Sequence, residues 1–128
     1  MKKYIGILIF IISQILLFTV ALSNVQSQFQ PFLSGLYPHF IAFYVTTILL
    51  VLSLRSIHVR FEYIISFLYA FMCVWLIEFI QYTLPYRSFS ISDALMGIAG
   101  SVAALITVKI FSKNLPKLPR AGKKANCN

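Results

Sequence analysis

Four apolar runs constrain the fold of this chain more than any other feature of its sequence. They occupy Ile5–Leu22, Leu36–Leu54, Tyr63–Ile80 and Ala94–Phe111. Each is close to the roughly 20 residues that a helix needs to cross a bilayer. Unpaired backbone groups are not tolerated in hydrocarbon, and the runs lack the alternating pattern of barrel strands. The sequence therefore predicts an all-α, polytopic membrane protein with four transmembrane helices within residues 1–112.

The composition agrees with a membrane protein and argues against a nucleic-acid partner. Only 11% of the residues are charged, far below the share in soluble domains, and the mean hydropathy is +0.85. The net charge of +8 would suit nucleic acid, but the basic residues flank the apolar runs and form no basic face. Cys73 and Cys127 have neither metal-site nor disulfide spacing, and no metal or cofactor motif is apparent. We expect no metal and no cofactor.

The distribution of cations predicts the orientation in the membrane. Arg87 is the one cation of eleven that falls in a segment predicted to lie outside. By the positive-inside rule, the side that carries the other ten is cytoplasmic, so we expect both termini there and the protein in the cell membrane. Those ten residues are Lys2, Lys3, Arg55, Arg60, Lys109, Lys113, Lys117, Arg120, Lys123 and Lys124.

The two ends of the chain allow further predictions. The N-terminal "MKK" and its apolar run could instead be a secretory signal cleaved near Ala21 or Ser23, although the run is longer than such signals usually have. Residues 113–128 form a basic tail rich in lysine and proline, which we expect to be disordered or to rest on anionic lipid.

Ionisable and polar side chains gather at the predicted outer face. Glu78 and Gln81 lie near the outer end of the third helix, Arg87 in the loop that follows, Asp93 at the start of the fourth helix, and His39 at the start of the second. A carboxylate inside a membrane helix is costly and usually marks a site or pairs with a partner. We therefore take these five residues as candidate ligand-binding residues.

Structural explanations compete with this interpretation. Ser90 and Asp93 have the spacing of a capping box, so Asp93 could simply start its helix. His39 could be an interfacial residue of the aromatic belt. Glu78 could form an ion pair with Arg87 that only pins the loop.

Small and polar residues in the helices suggest packing contacts. Gly97 with Ser101, and Gly100 with Ala104, have the four-residue spacing that lets helices approach closely, so we assign these residues to helix packing. Gln14, near the middle of the first helix, is predicted to form a hydrogen bond to another helix.

The polar residues also resemble a family signature. Glu78, Gln81, Pro85, Arg87 and Asp93 with Gly100, preceded by "HFIAF" from His39 to Phe43, resemble the VanZ-like family of small bacterial membrane proteins. That family's pattern is E-x-x-Q, a short segment with Pro and Arg, and D-x-x-x-N-x-x-G opening the last helix. Here Gly97 replaces the Asn, and Gly35 and Leu36 replace the usual Asp-Lys before His-Phe. The resemblance implies a role in the cell envelope and in resistance to glycopeptide antibiotics such as teicoplanin.

Three functions remain open from the sequence. The first is an outward-facing polar pocket that binds a membrane lipid or a lipid-linked envelope precursor, with Arg87 holding an anionic group. The second is a membrane-embedded hydrolase or transferase that uses His39 with Glu78 or Asp93 as acid and base, although no nucleophile or metal motif accompanies them. The third is an accessory subunit without a ligand, in which the charges only hold the helices together. The oligomeric state is open.

Overall fold

Helices account for most of the part of the chain that the structure describes. The structure is a computed structural model that describes residues 2–22, 37–86 and 88–114, and this part is helical without strands. The helices are α1 (Lys2–Leu22), α2 (Tyr37–Ser56), α3 (Glu62–Tyr82) and α4 (Ile91–Asn114). All four are long and apolar enough to cross a membrane. The prediction of an all-α chain with four such helices is therefore confirmed.

Contacts at both ends of the bundle show that consecutive helices run in opposite directions. At one end, the Ser53 hydroxyl of α2 donates to the Gly6 carbonyl of α1 at 2.9 Å, and Tyr63 of α3 lies 3.3 Å from Ser112 of α4 between hydroxyl oxygens. At the other end, the Gln81 amide of α3 donates to the Ala21 carbonyl of α1 at 2.9 Å. We call these the Arg55 end and the Glu78 end, after a charged residue near each.

The interior of the bundle contains both apolar and polar side chains, and its exterior is apolar. The core cluster is small and consists of Phe43, Ala70, Cys73, Val74, Ile77 and Ala94. Buried polar or charged side chains accompany it, namely Gln14, Thr46, Thr47, Ser53, Ser66, Glu78, Gln81 and Ser101. Large apolar side chains point outward on all four helices, among them Leu8, Ile41, Leu68, Phe79 and Ile106. Polar groups inside and apolar groups outside suit a bundle whose surroundings are hydrocarbon.

A buried hydrogen-bond network joins three helices near the middle of the bundle. The Gln14 amide of α1 donates to the Thr46 hydroxyl of α2 at 3.4 Å and accepts from the Tyr69 hydroxyl of α3 at 3.1 Å. The predicted role of Gln14 as a hydrogen bonder between helices is confirmed.

The contact between α2 and α4 is the most extensive in the bundle. Gly97, Gly100, Ser101 and Ala104 of α4 are all buried. A Cβ atom on Gly100 would overlap the Phe40 carbonyl of α2, and one on Gly97 would lie 2.8 Å from Val74 and 2.9 Å from Phe43. Glycine is therefore required for this approach, which sets the start of α2 directly against α4.

The α2–α3 connection is short because α2 ends in a Schellman motif. The Val59 N–H donates to the Leu54 carbonyl at 3.0 Å, and the His58 N–H donates to the Arg55 carbonyl at 3.1 Å. His58 has the positive φ of 60° that this motif needs. Arg55 then contacts the start of α3, where its guanidinium lies 3.4 Å from Glu62.

Candidate functional site

Three ionisable side chains from three helices meet at the Glu78 end. His39 lies in the first turn of α2, Glu78 one turn before the end of α3, and Asp93 in the first turn of α4. One ligand atom from each of them, a ring nitrogen or a carboxylate oxygen, lies within 4.8 Å of the other two. We call these three residues the carboxylate–histidine cluster. The structure thus brings together three of the five predicted ligand-binding residues.

Glu78 is the most enclosed member of the cluster. Its side chain is 1% exposed, and that of His39 is 13% exposed. The Ser90 backbone N–H donates to Glu78 Oε2 at 3.0 Å, and His39 Nε2 lies 3.8 Å from Glu78 Oε1. A carboxylate placed in a low-dielectric interior needs such polar and charged neighbours to offset the loss of water.

The start of α4 explains why Asp93 faces this cluster. The Asp93 N–H donates to the Ser90 hydroxyl at 3.2 Å, so Ser90 caps the helix. In a full capping box, the Asp93 carboxylate would accept the Ser90 N–H in return. Here Glu78 accepts that N–H, so only half of the predicted box forms. The partly buried Asp93 carboxylate instead lies beside His39 and Glu78.

Because of the capping contact, α4 starts earlier than the fourth apolar run predicts. The fourth apolar run begins at Ala94, but α4 begins at Ile91, one residue after its cap. Hydropathy misses this turn because Ser92 and Asp93 are polar, whereas the Ser90 cap specifies it.

Gln81 does not belong to the cluster and makes a contact with another helix instead. Its side chain is 2% exposed, and its amide nitrogen donates to the Ala21 carbonyl at the end of α1. The Tyr86 hydroxyl makes a parallel bond to the Leu22 carbonyl at 3.0 Å. These contacts attach the end of α1 to the end of α3 and to the α3–α4 connection. Arg87, the fifth predicted residue, lies outside the described residues, and so does its predicted ion pair with Glu78.

An apolar groove of about 320 Å³ runs between α1 and α2 and reaches α3. His39 and Gln81 lie at its Glu78 end, and Ser13 and Thr46 lie deeper in the bundle. The rest of the lining is apolar, namely Leu16, Leu17, Val20, Ala21, Pro38, Ala42, Phe43, Val45 and Ile77. His39 therefore belongs both to the apolar groove and to the carboxylate–histidine cluster.

Sequence reasoning missed two parts of this arrangement. Neither the groove nor the bond from Ser90 to Glu78 has a signature along the chain, because both depend on how the helices pack against one another. The cluster likewise has no motif spacing, since its three members come from three helices. The sequence predicted that its members lie at one face of the bundle, but not that they meet.

No protein family, no curated protein and no solved structure was found to match this chain.

Proposed function

We propose that this chain is an integral membrane protein of the bacterial cell envelope, VanZ-like in its polar motif, which binds an amphiphile at the Glu78 end. The observation that carries the proposal is the position of His39, which lines the apolar groove and lies 3.8 Å from Glu78. An amphiphile needs this combination, because its chain requires apolar walls and its head group requires charged or hydrogen-bonding partners. The groove volume of about 320 Å³ lies within the roughly 300–1,000 Å³ of ligand pockets.

The proposed ligand is a membrane lipid or a lipid-linked envelope precursor with an anionic head group. Its chain would occupy the groove between α1 and α2, and its head group would lie by His39, Asp93 and Arg87. Arginine presents forked donors that suit phosphate or carboxylate. We further propose that the protein contributes to glycopeptide resistance, because its polar motif resembles that of the VanZ-like family.

Orientation is part of this proposal. The cation distribution favours cytoplasmic termini, an outward-facing Glu78 end and a basic tail that contacts anionic lipid of the inner leaflet. A site on the outer side would meet envelope precursors after their export.

Native mass spectrometry from gentle detergent tests the binding directly. We expect the wild-type protein to retain an amphiphile, and Ala42→Phe to lose it, since the larger side chain fills the groove. The matched control is Ala99→Phe, which places the same side chain at an exposed position of α4. Equal retention by the two variants, or no retained amphiphile in the wild type, would exclude the groove as the binding site.

A membrane-embedded hydrolase or transferase is the second candidate. An imidazole beside a carboxylate is the arrangement that general acid–base catalysis uses, and His39 and Glu78 provide it at 3.8 Å. This candidate requires the retained lipid to be converted during incubation, and His39→Gln to stop conversion while lipid retention persists. If the retained lipid is unchanged on incubation, binding alone is the function.

A further inference from the structure

We propose that His39, Glu78 and Asp93 form a binding site for a divalent transition-metal ion of the Zn²⁺ type. This inference goes beyond the proposed amphiphile binding and does not depend on it. Neither a metal motif nor a spacing rule along the chain points to these residues. The site arises because the ends of α2, α3 and α4 meet at one place.

The donor set is suited to a metal ion. Imidazole nitrogen and carboxylate oxygen are the ligands that zinc and neighbouring transition metals accept, whereas magnesium and calcium prefer oxygen alone. The chain has only three acidic residues and two histidines, and three of these five gather within 4.8 Å. The remaining two, His58 and Glu62, belong to the Arg55 end. Three of the five acidic and histidine side chains of the chain are therefore concentrated at the Glu78 end of the bundle.

Electrostatics favours a cation at this point. Glu78 is 1% exposed, and the partly buried Asp93 carboxylate lies close beside it. Two ionised carboxylates at so short a separation repel each other, and a cation between them relieves that repulsion. A divalent ion between the carboxylates would offset both charges at once.

The surroundings of Glu78 resemble the support that metal ligands receive. Carboxylates that bind metals are themselves hydrogen-bonded, which fixes their orientation. The Ser90 N–H holds Glu78 Oε2 at 3.0 Å, and Oε1 faces His39. The Ser90 hydroxyl also accepts the Asp93 N–H. Ser90 therefore orients the backbone of Asp93 and the side chain of Glu78, two of the three proposed ligands.

The spacing of the cluster fits three ligands and an open position. Ligand atoms around a tetrahedral zinc ion with ordinary bond lengths lie about 3.4 Å apart. The cluster atoms lie within 4.8 Å, so side-chain rotations that draw them inward by about 1 Å would complete the coordination. Three protein ligands leave a fourth position for water or for an anionic group, as in zinc sites with an exchangeable ligand.

The test uses the full chain in detergent, in a Cys127→Ser background and with a purification tag that lacks histidine. Metal is removed with a chelator, and Zn²⁺ alone is titrated against a competing fluorescent indicator. We expect one Zn²⁺ per chain. Glu78→Gln, Asp93→Asn and His39→Gln should each raise the Kd at least about tenfold, because each removes a direct ligand. Glu62→Gln and His58→Gln are matched controls that should keep the wild-type Kd.

A second measurement protects the test against variants that do not fold. Zn²⁺ should raise the unfolding temperature of the wild-type protein, because an ion that binds only the folded state stabilises it. Co²⁺ should give visible absorption bands of low-coordinate cobalt in the same protein. Absence of stoichiometric binding and of stabilisation in the wild type would overturn the proposal, as would equal loss in the control variants. Zn²⁺ binding and lipid retention are separate readouts, so either proposal can fail while the other stands.

Discussion

The backbone N–H of Ser90 donates to the Glu78 carboxylate at 3.0 Å, so the residue that caps α4 is held by a buried side chain of α3. This bond joins two helix ends across a short connection. It also frees the Asp93 carboxylate from the capping box and places it beside His39. The start of α4 and the carboxylate–histidine cluster are therefore one structural unit.

Glu78→Ala, which removes the side chain, should destabilise this unit far more than Glu78→Gln, which removes only the charge. Glu78→Ala leaves the Ser90 N–H without its acceptor and opens a cavity, so we expect a loss of about 2–4 kcal/mol in the free energy of unfolding. Glu78→Gln keeps the shape and an acceptor oxygen, so the loss should stay below about 1 kcal/mol. Unfolding in mild detergent provides the measurement.

Glu62→Ala is the control for that comparison. Glu62 pairs with Arg55 at 3.4 Å, and the two side chains are 22% and 31% exposed. Partly exposed pairs contribute little, so the loss should be at most about 1 kcal/mol. A Glu78→Ala loss no larger than that of Glu62→Ala would contradict the importance of the bond to Ser90. Tolerance of Glu78→Gln in both folding and cellular function would favour the accessory subunit without a ligand, because a site that depends on the charge should not tolerate this change.

The sequence was sufficient to predict the helices and to place His39, Glu78 and Asp93 at the same end of the bundle, but not to predict their contacts, for a physical reason. An apolar run near 20 residues is a local property that hydrocarbon enforces, so α1 to α4 follow from it. The meeting of His39 with Asp93 depends instead on the register of α2 against α4, which is set where Gly100 meets the Phe40 carbonyl. Nothing local to His39 encodes that contact. The sidedness of the termini stays a prediction.

Gly100→Ala should destabilise the bundle although the change adds only a methyl group. The new Cβ would overlap a backbone carbonyl of α2, which cannot rotate away as a side chain can. We expect a loss of about 1–3 kcal/mol in the free energy of unfolding. Gly6→Ala is the matched control, because its Cβ would lie at ordinary distances of 3.5–3.9 Å from Ser53 and Ser56. That variant should be neutral or gain up to about 1 kcal/mol from helix propensity. Equal effects of the two changes would show that α2 and α4 are not in close contact.

Ser90→Ala should weaken the start of α4. The change removes the side-chain oxygen that accepts the Asp93 N–H and leaves the backbone bond from Ser90 to Glu78 in place. Loss of a helix cap costs about 0.5–2 kcal/mol, which amide hydrogen exchange at Asp93 and Ala94, whose N–H groups bond to Ser90, can detect as faster opening. Ser92→Ala, at an exposed position two residues on, is the control and should change little. Unchanged exchange in Ser90→Ala would mean that the bond to Glu78 alone holds the helix start.

Labelling experiments test the proposed orientation. In a background in which both native cysteines are replaced, Ser88→Cys should react with a membrane-impermeant thiol reagent from outside the cell, since Ser88 is exposed at the Glu78 end. A cysteine at Lys117 should react only after the membrane is opened, because the cation distribution favours a cytoplasmic tail. Labelling of the tail in intact cells would reverse the proposed orientation.

A double-mutant cycle tests whether Arg87 is coupled to Glu78, as the sequence predicts. Glu78 is 1% exposed, and removing the partner of a buried charge costs on the order of 3–5 kcal/mol, less where water reaches the partner. Glu78→Gln and Arg87→Gln together should therefore cost less than the sum of the single changes, with a coupling of about 1 kcal/mol or more in the free energy of unfolding. The reference cycle is Arg55→Gln with Glu62→Gln, a partly exposed pair at 3.4 Å that should couple by less than about 1 kcal/mol. Strict additivity of the Glu78 and Arg87 changes would mean that the two residues do not meet. Coupling in stability, with amphiphile retention still lost in the double variant, would indicate that the paired charges also hold the ligand.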